Sequence, residues 1–292
     1  MNHQEVSELI NSGQLALAIY ESSSAMAQNA EGNNPAGVLE FTAQFVRANR
    51  MLGDYATGLA VGTQMVEEYG SGKTESSKVL VEVANIFRLQ RDYDGATSVL
   101  LRAIDLSHSV KDNKTESQAT WGLGVVYRLK REFTEATLCF SSALTLCQEI
   151  DYALGAAHCY REIGVTSRQN EKYEEAEEQL KFALALYESE GNVMGVAHCK
   201  RELGTVARLD NNPIRAVTLL CEALNEFQAI GARLGVANTY TELSATYYNA
   251  GNSLAGSICY ELALSLYDEL EDKEGAKYLQ AVCAQYKNHN SN

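Results

Sequence analysis

GAAHCYREIGVTSRQNEKYEEAEEQLKFAL, residues 155–184, is followed at residues 195–224 by GVAHCKRELGTVARLDNNPIRAVTLLCEAL. Laid over one another at a spacing of 40 residues, the stretches match Gly155 with Gly195, His158-Cys159 with His198-Cys199, Arg161-Glu162 with Arg201-Glu202, Gly164 with Gly204 and Arg168 with Arg208. The same period runs without a gap from Val83 to Val282. Ala96, Ala136, Ala176 and Ala216 coincide, with Gly256 in the last block, and so do Ala103, Ala143, Ala183, Ala223 and Ala263. A fixed period of this size means stacked units, each burying its apolar face against its neighbours.

Within each block, small and apolar residues recur at intervals of three, four and seven, which traces one stripe of a helix. Turn signals split each block in half: Gly53-Asp54, Arg91-Asp92, Asn170-Glu171, Asn211-Asn212-Pro213 and Gly251-Asn252. Second breaks fall at Gly191-Asn192, Gly231-Ala232 and Asp272-Lys273. The unit is therefore two antiparallel helices, A and B. Only two prolines in 292 residues suit an all-α chain.

This pattern resembles the tetratricopeptide repeat (TPR). The pairs Leu123-Gly124, Ile163-Gly164 and Leu203-Gly204 in helix A are followed in helix B by alanine, a bulky residue (Phe140, Leu180, Leu220) and alanine again. The usual repeat is about 34 residues long; the longer period, with Gly155, Gly195, Gly235 and Gly275 opening helix A, is most similar to adaptors of the Pins/LGN and kinesin light chain type. The resemblance implies a right-handed α-solenoid of antiparallel helix pairs, a TPR superhelix. The expected organisation is a single solenoid over 1–288 with seven repeats, at 3–32, 35–70, 75–111, 115–151, 155–191, 195–231 and 235–271. A capping helix is expected over 274–287, and a disordered tail over 288–292.

Composition narrows the function. A net charge of −14 argues against general affinity for nucleic acid or anionic membrane. No run approaches the length of a membrane span, and no charged-then-apolar signal opens the chain, so a cytoplasmic protein is expected. The seven cysteines read as reduced, buried thiols. There is no phosphate-binding glycine loop, no Cys-x-x-Cys and no His-Glu-x-x-His. Neighbours on a helix point about 100° apart, so His158-Cys159 and His198-Cys199 do not readily supply two ligands to one metal ion. No cofactor and no enzymatic activity are expected.

Five arginines share one repeat position: Arg50, Arg88, Arg128, Arg168 and Arg208. Like charges roughly 10 Å apart repel by about 0.4 kcal/mol in water and about 1.7 kcal/mol at an effective dielectric of 20, so the row needs an acidic counterpart. The resemblance implies that helix A lines a concave groove. Its register places Asn85, Trp121, His158, Arg161, His198, Arg201, Thr205, Asn238 and Tyr248 beside the arginine row. Such a groove suits an acidic peptide or protein tail, because guanidinium binds carboxylate in bidentate fashion. The asparagines that clamp a ligand's backbone in similar adaptors are missing except for Asn85, so recognition would rest on acidic side chains. Other readings stay open. Glu82, Glu162, Glu202 and Glu242 also repeat and could pair internally with the arginines, Glu162 with Arg201 for example. The chain could also sense a small anion or signalling peptide, or act as a scaffold through its acidic convex face.

Overall fold

The structure, a computed structural model, describes residues 2–70 and 74–287, with side chains as far as Ala284. The tail expected over 288–292 lies outside the described residues. Fifteen helices are described: α1 (His3–Asn11), α2 (Leu15–Glu31), α3 (Pro35–Leu52), α4 (Tyr55–Tyr69), α5 (Thr74–Leu89), α6 (Tyr93–Ser109), α7 (Asn113–Leu129), α8 (Phe133–Glu149), α9 (Ala153–Gln169), α10 (Tyr173–Ser189), α11 (Val193–Leu209), α12 (Pro213–Ala229), α13 (Arg233–Asn249), α14 (Ser253–Glu269) and α15 (Lys273–Lys287). They group into two compact units, Met1–Gly155 and Ala156–Asn292.

In the first unit the A helices α1, α3, α5 and α7 pack side by side, and the B helices fill the outer layer against them. Leu39, Val46, Val79, Val83, Leu100 and Leu123 form its main core. In the second unit α11, α13 and α15 pack in the same way, with α12 and α14 outside. Tyr267, Leu279 and Cys283 seal α15 against its neighbours.

The repeated small residues explain how closely the helices approach. A Cβ on Gly204 would lie 2.7 Å from Leu220 Cγ, so the glycine of the Leu-Gly pair admits the bulky residue of the following B helix. A Cβ on Gly195 would lie 2.3 Å from the Tyr187 ring, which seats the preceding B helix on the start of α11. Ala96, Ala136, Ala176, Ala216, Ala103, Ala143, Ala183, Ala223 and Ala263 are all fully buried.

The joints are equally regular. Arg91, Arg131 and Glu171 adopt left-handed backbone (φ 61°, 64° and 61°), and the next N–H reaches back into the helix, as from Lys172 to Ser167 O at 2.9 Å. This closing turn satisfies orphan carbonyls at the helix end. The following helix is capped at once: Asp92 accepts from Gly95 N–H at 2.9 Å, and Asn192 from Gly195 N–H at 2.8 Å.

Candidate functional site

In the second unit the arginines and glutamates of the A helices interlock. Arg168 on α9 reaches Glu202 on α11 through Nε and Nη2, both at 3.1 Å. One repeat later, Arg208 Nη2 donates to Glu242 Oε2 on α13 at 2.7 Å. Both bonds join residues 34 positions apart. Each glutamate takes a second donor: Arg201 Nη2 meets Glu202 Oε1 at 2.6 Å, and Tyr278 of α15 donates to Glu242 Oε1 at 2.8 Å. Arg161 Nη2 likewise bonds Glu162 Oε1 at 2.8 Å. The Glu162–Arg201 pair, one of the readings left open by the sequence, is not the one Arg201 makes among the described residues. Arg201 turns to the carboxylate beside it on its own helix, and Glu202 faces Arg168 across the joint.

These charges are substantially desolvated. Arg208 is 3% exposed and Glu242 5%. Burial alone would raise the Glu202 carboxyl, but Arg168, Arg201 and Arg161 outweigh it and hold it down to about 2. Glu242 is lowered on the same balance, with Arg208 its main partner. Breaking a buried pair by removing one member leaves an uncompensated charge, which is the costly case.

The histidines occupy matched positions with unmatched partners. His158 Nδ1 and the Tyr187 hydroxyl share a hydrogen bond of 2.6 Å, and Tyr267 donates to Asn238 Oδ1 at 2.7 Å. Position 227, between them in register, is phenylalanine. Phe227 meets the His198 ring edge-on at 5.0 Å, and His198 Nδ1 is buried without a hydrogen-bond partner among the described residues. Burial, with Arg201 and Arg161 nearby, pushes His198 down to about 4, so the ring is neutral at pH 7. The neighbouring thiols are buried, and burial raises Cys199 to about 12. Two further expected site residues lie inside the packing. Thr205 is buried and donates to Arg201 O at 3.1 Å. Tyr248 joins the apolar cluster with Tyr267 and bonds Ser257 at 2.9 Å.

In the first unit Arg50 Nε pairs with Glu82 Oε2 at 3.1 Å. Arg88 meets a different environment, because Gly122 stands where glutamates stand in later repeats; its Nη2 reaches Asn85 Oδ1 at 3.3 Å. Arg128 and Trp121 are half-buried on α7, and Trp121 Nε1 has no hydrogen-bond partner among the described residues. N-terminal to this row along the A helices lies a cavity of about 530 Å³ whose lining includes Glu40, Ala43, Arg47, Lys78, Val81 and Gln118. Glu40, Ala43 and Arg47 were not among the expected site residues. They stand 10, 7 and 3 residues before Arg50, the offsets that separate His158, Arg161 and Val165 from Arg168. Extending the register one repeat toward the N-terminus was the signal that would have found them.

Paired helices, tight Ala/Gly packing and repeating A-helix faces define an α-solenoid of the TPR type. The profile of the SNAP family, soluble NSF attachment protein, matches residues 60–222, more than half of the chain, and the chain belongs to that family. No curated protein matches it. Several solved structures share the fold. RapI in its apo form superposes with a TM-score of 0.70 at 12% identity, covering 91% of this chain and 96% of RapI. A Rap conjugation gene regulator of the plasmid pLS20, in complex with the Phr* peptide, gives 0.66 at 16% identity, covering 94% and 80%. BtubC (BKLC) from P. vanneervenii gives 0.62 at 16% identity, covering 77% and 92%. At these identities the likeness is one of fold. Among the described residues no helix is long and apolar enough to cross a membrane.

Proposed function

We propose that this chain is a non-enzymatic protein-interaction adaptor whose A-helix face binds an acidic segment of a partner protein or peptide. The observation that carries this reading is the charge count in the second unit. Arg161, Arg168, Arg201 and Arg208 stand against Glu162, Glu202 and Glu242, and Glu202 alone serves two guanidiniums. One positive charge is left over in a largely desolvated setting, where an incoming carboxylate interacts strongly. The two kinds of arginine divide the work. Arg168 and Arg208 tie one repeat to the next, while Arg161 and Arg201 spend one Nη2 on the adjacent glutamate and keep further donors for a ligand. Membership in a family named for an attachment protein supports the adaptor reading, as does the fold shared with a peptide-bound Rap regulator.

The test is fluorescence anisotropy with a labelled oligoglutamate peptide against the full chain and its Arg161→Gln/Arg201→Gln variant. Binding should weaken at least about tenfold in the variant, should weaken with added salt, and should be absent for an oligoglutamine control. Equal affinity of wild type and variant, or equal binding of the neutral control, would sink the proposal.

A further inference from the structure

α14 carries an apolar ridge on the side turned away from the core. Leu254, Ile258 and Leu262 are 75%, 54% and 42% exposed. Steps of four residues keep them within an arc of about 80° over a length of about 12 Å. A single exposed leucine is ordinary, but a row of three on one helix face marks an interaction surface. The same three places on α6, α8, α10 and α12 hold at most one apolar residue each, as in Glu174, Glu178 and Phe182 on α10 or Ile214, Thr218 and Glu222 on α12. The repeat therefore does not require this ridge, which is particular to α14.

The charge beside the ridge has one sign. α14 contains no lysine or arginine. Between Ser253 and Lys273, the carboxylates Glu261, Asp268, Glu269, Glu271 and Asp272 stand against Lys273 alone. Two of them are engaged: Glu269 pairs with Arg233, and Asp272 caps α15 by accepting from Gly275 N–H at 2.9 Å. Glu261, Asp268 and Glu271 are exposed and make no ion pair among the described residues. The cations of α12 and α13, Arg215 and Arg233, are already held by Glu177 and Glu269. Glu261 lies about 20° around the helix from Leu254, at the edge of the ridge. Asp268 and Glu271 stand at the C-terminal end of α14, where the helix dipole adds negative charge. Ser257 and Ser265 beside the ridge are small, so a second helix can lay its own side chains between the ridge and its flanks.

We propose that the exposed face of α14 docks a basic amphipathic helix of a partner protein. Apolar side chains of that helix pack on Leu254, Ile258 and Leu262, and its lysines or arginines meet Glu261, Asp268 and Glu271. A second copy of this chain is a poor match, because its own Glu261 and Asp268 would face the same carboxylates. The surface is independent of the acidic-segment reading, which rests on Arg161 and Arg201 of the A helices.

Fluorescence anisotropy on the full chain tests it, with a labelled helical peptide of about 18 residues carrying leucines at i, i+4 and i+8 and lysines on both flanks. Two control peptides each keep half of the chemistry: serines replace the leucines in one, and glutamates replace the lysines in the other. The leucine–lysine peptide should bind at least about tenfold more tightly than either control. Leu254→Ser/Ile258→Ser and Glu261→Lys/Asp268→Lys should each weaken it by about tenfold or more. Glu174→Lys/Glu178→Lys on α10, which changes the net charge by the same amount, should leave it nearly unchanged, and so should Arg161→Gln/Arg201→Gln. The four substituted positions on α14 are exposed, so the variants keep the fold, and melting curves verify this. The proposal is overturned if the leucine–lysine peptide does not bind at high micromolar concentration, if the serine control binds as tightly, or if folded Leu254→Ser/Ile258→Ser binds like wild type. It is also overturned if sedimentation finds a wild-type dimer that Leu254→Ser/Ile258→Ser disperses, since the occupant would then be a second copy.

Discussion

Replacing Glu202 by glutamine keeps the shape of a side chain that is 8% exposed while removing the charge that two guanidiniums share. The folded chain holds this carboxyl at about 2, against an ordinary value of 4.5. At about 1.4 kcal/mol per tenfold, that displacement amounts to about 3 kcal/mol of stability. Because the folded value is the depressed one, the contribution is complete above about pH 4.5 and is lost as the pH falls toward 2. Glu202→Gln should therefore lower the unfolding free energy by about 3 kcal/mol at pH 7 and by about 1.5 kcal/mol at pH 3. Urea titrations followed by helical circular dichroism at both pH values read this directly. A gap under about 1 kcal/mol at pH 7, the range of an exposed pair, would refute the reasoning. So would a gap that does not shrink at pH 3.

Two other substitutions probe the repeat packing. Phe227→Tyr supplies the hydroxyl that Tyr187 already offers His158, and it should raise stability by about 1 kcal/mol. The rings must separate from 5.0 Å to about the 5.4 Å of the His158–Tyr187 pair, so a lower melting temperature would mean that the joint cannot open that far. Gly195→Ala drives a methyl group into the fully buried Tyr187 ring and should cost about 1–3 kcal/mol by thermal melting. An unchanged melting temperature would remove the close-approach explanation for the glycine.

The helix pairs were legible because their causes are local and repeated. A small residue recurring every 40 positions marks a close helix contact, and Asn192 or Asp92 beside a turn marks a cap. Charge pairing was less legible. Sequence placed arginines and glutamates on neighbouring faces, but the choice of Glu202 over Glu162 as partner of Arg201 depends on side-chain reach within a helix and across a joint. The same holds for Tyr248, where a tyrosine in an arginine register looked ligand-facing, yet an aromatic ring there gains more from packing beside Tyr267. The cavity was obscured for a different reason. Arg50 lies 38 rather than 40 positions before Arg88, so the register that marks Arg47 has to be carried across a shortened repeat, and Gln44 falls outside the offsets of that register altogether.

Arg168 lies 34 positions before Glu202, and Arg208 lies 34 before Glu242. The block that carries Glu202 and Arg208 thus bears an acceptor for the block behind it and a donor for the block ahead. A recombination event that cuts out residues 193–232 leaves Arg168 again 34 positions before a glutamate, now Glu242, and Tyr187 before the glycine at Gly235. Duplication of one block has the same outcome. The joint is thus inherited whole, and arrays of different length can arise from one another without first evolving a new interface.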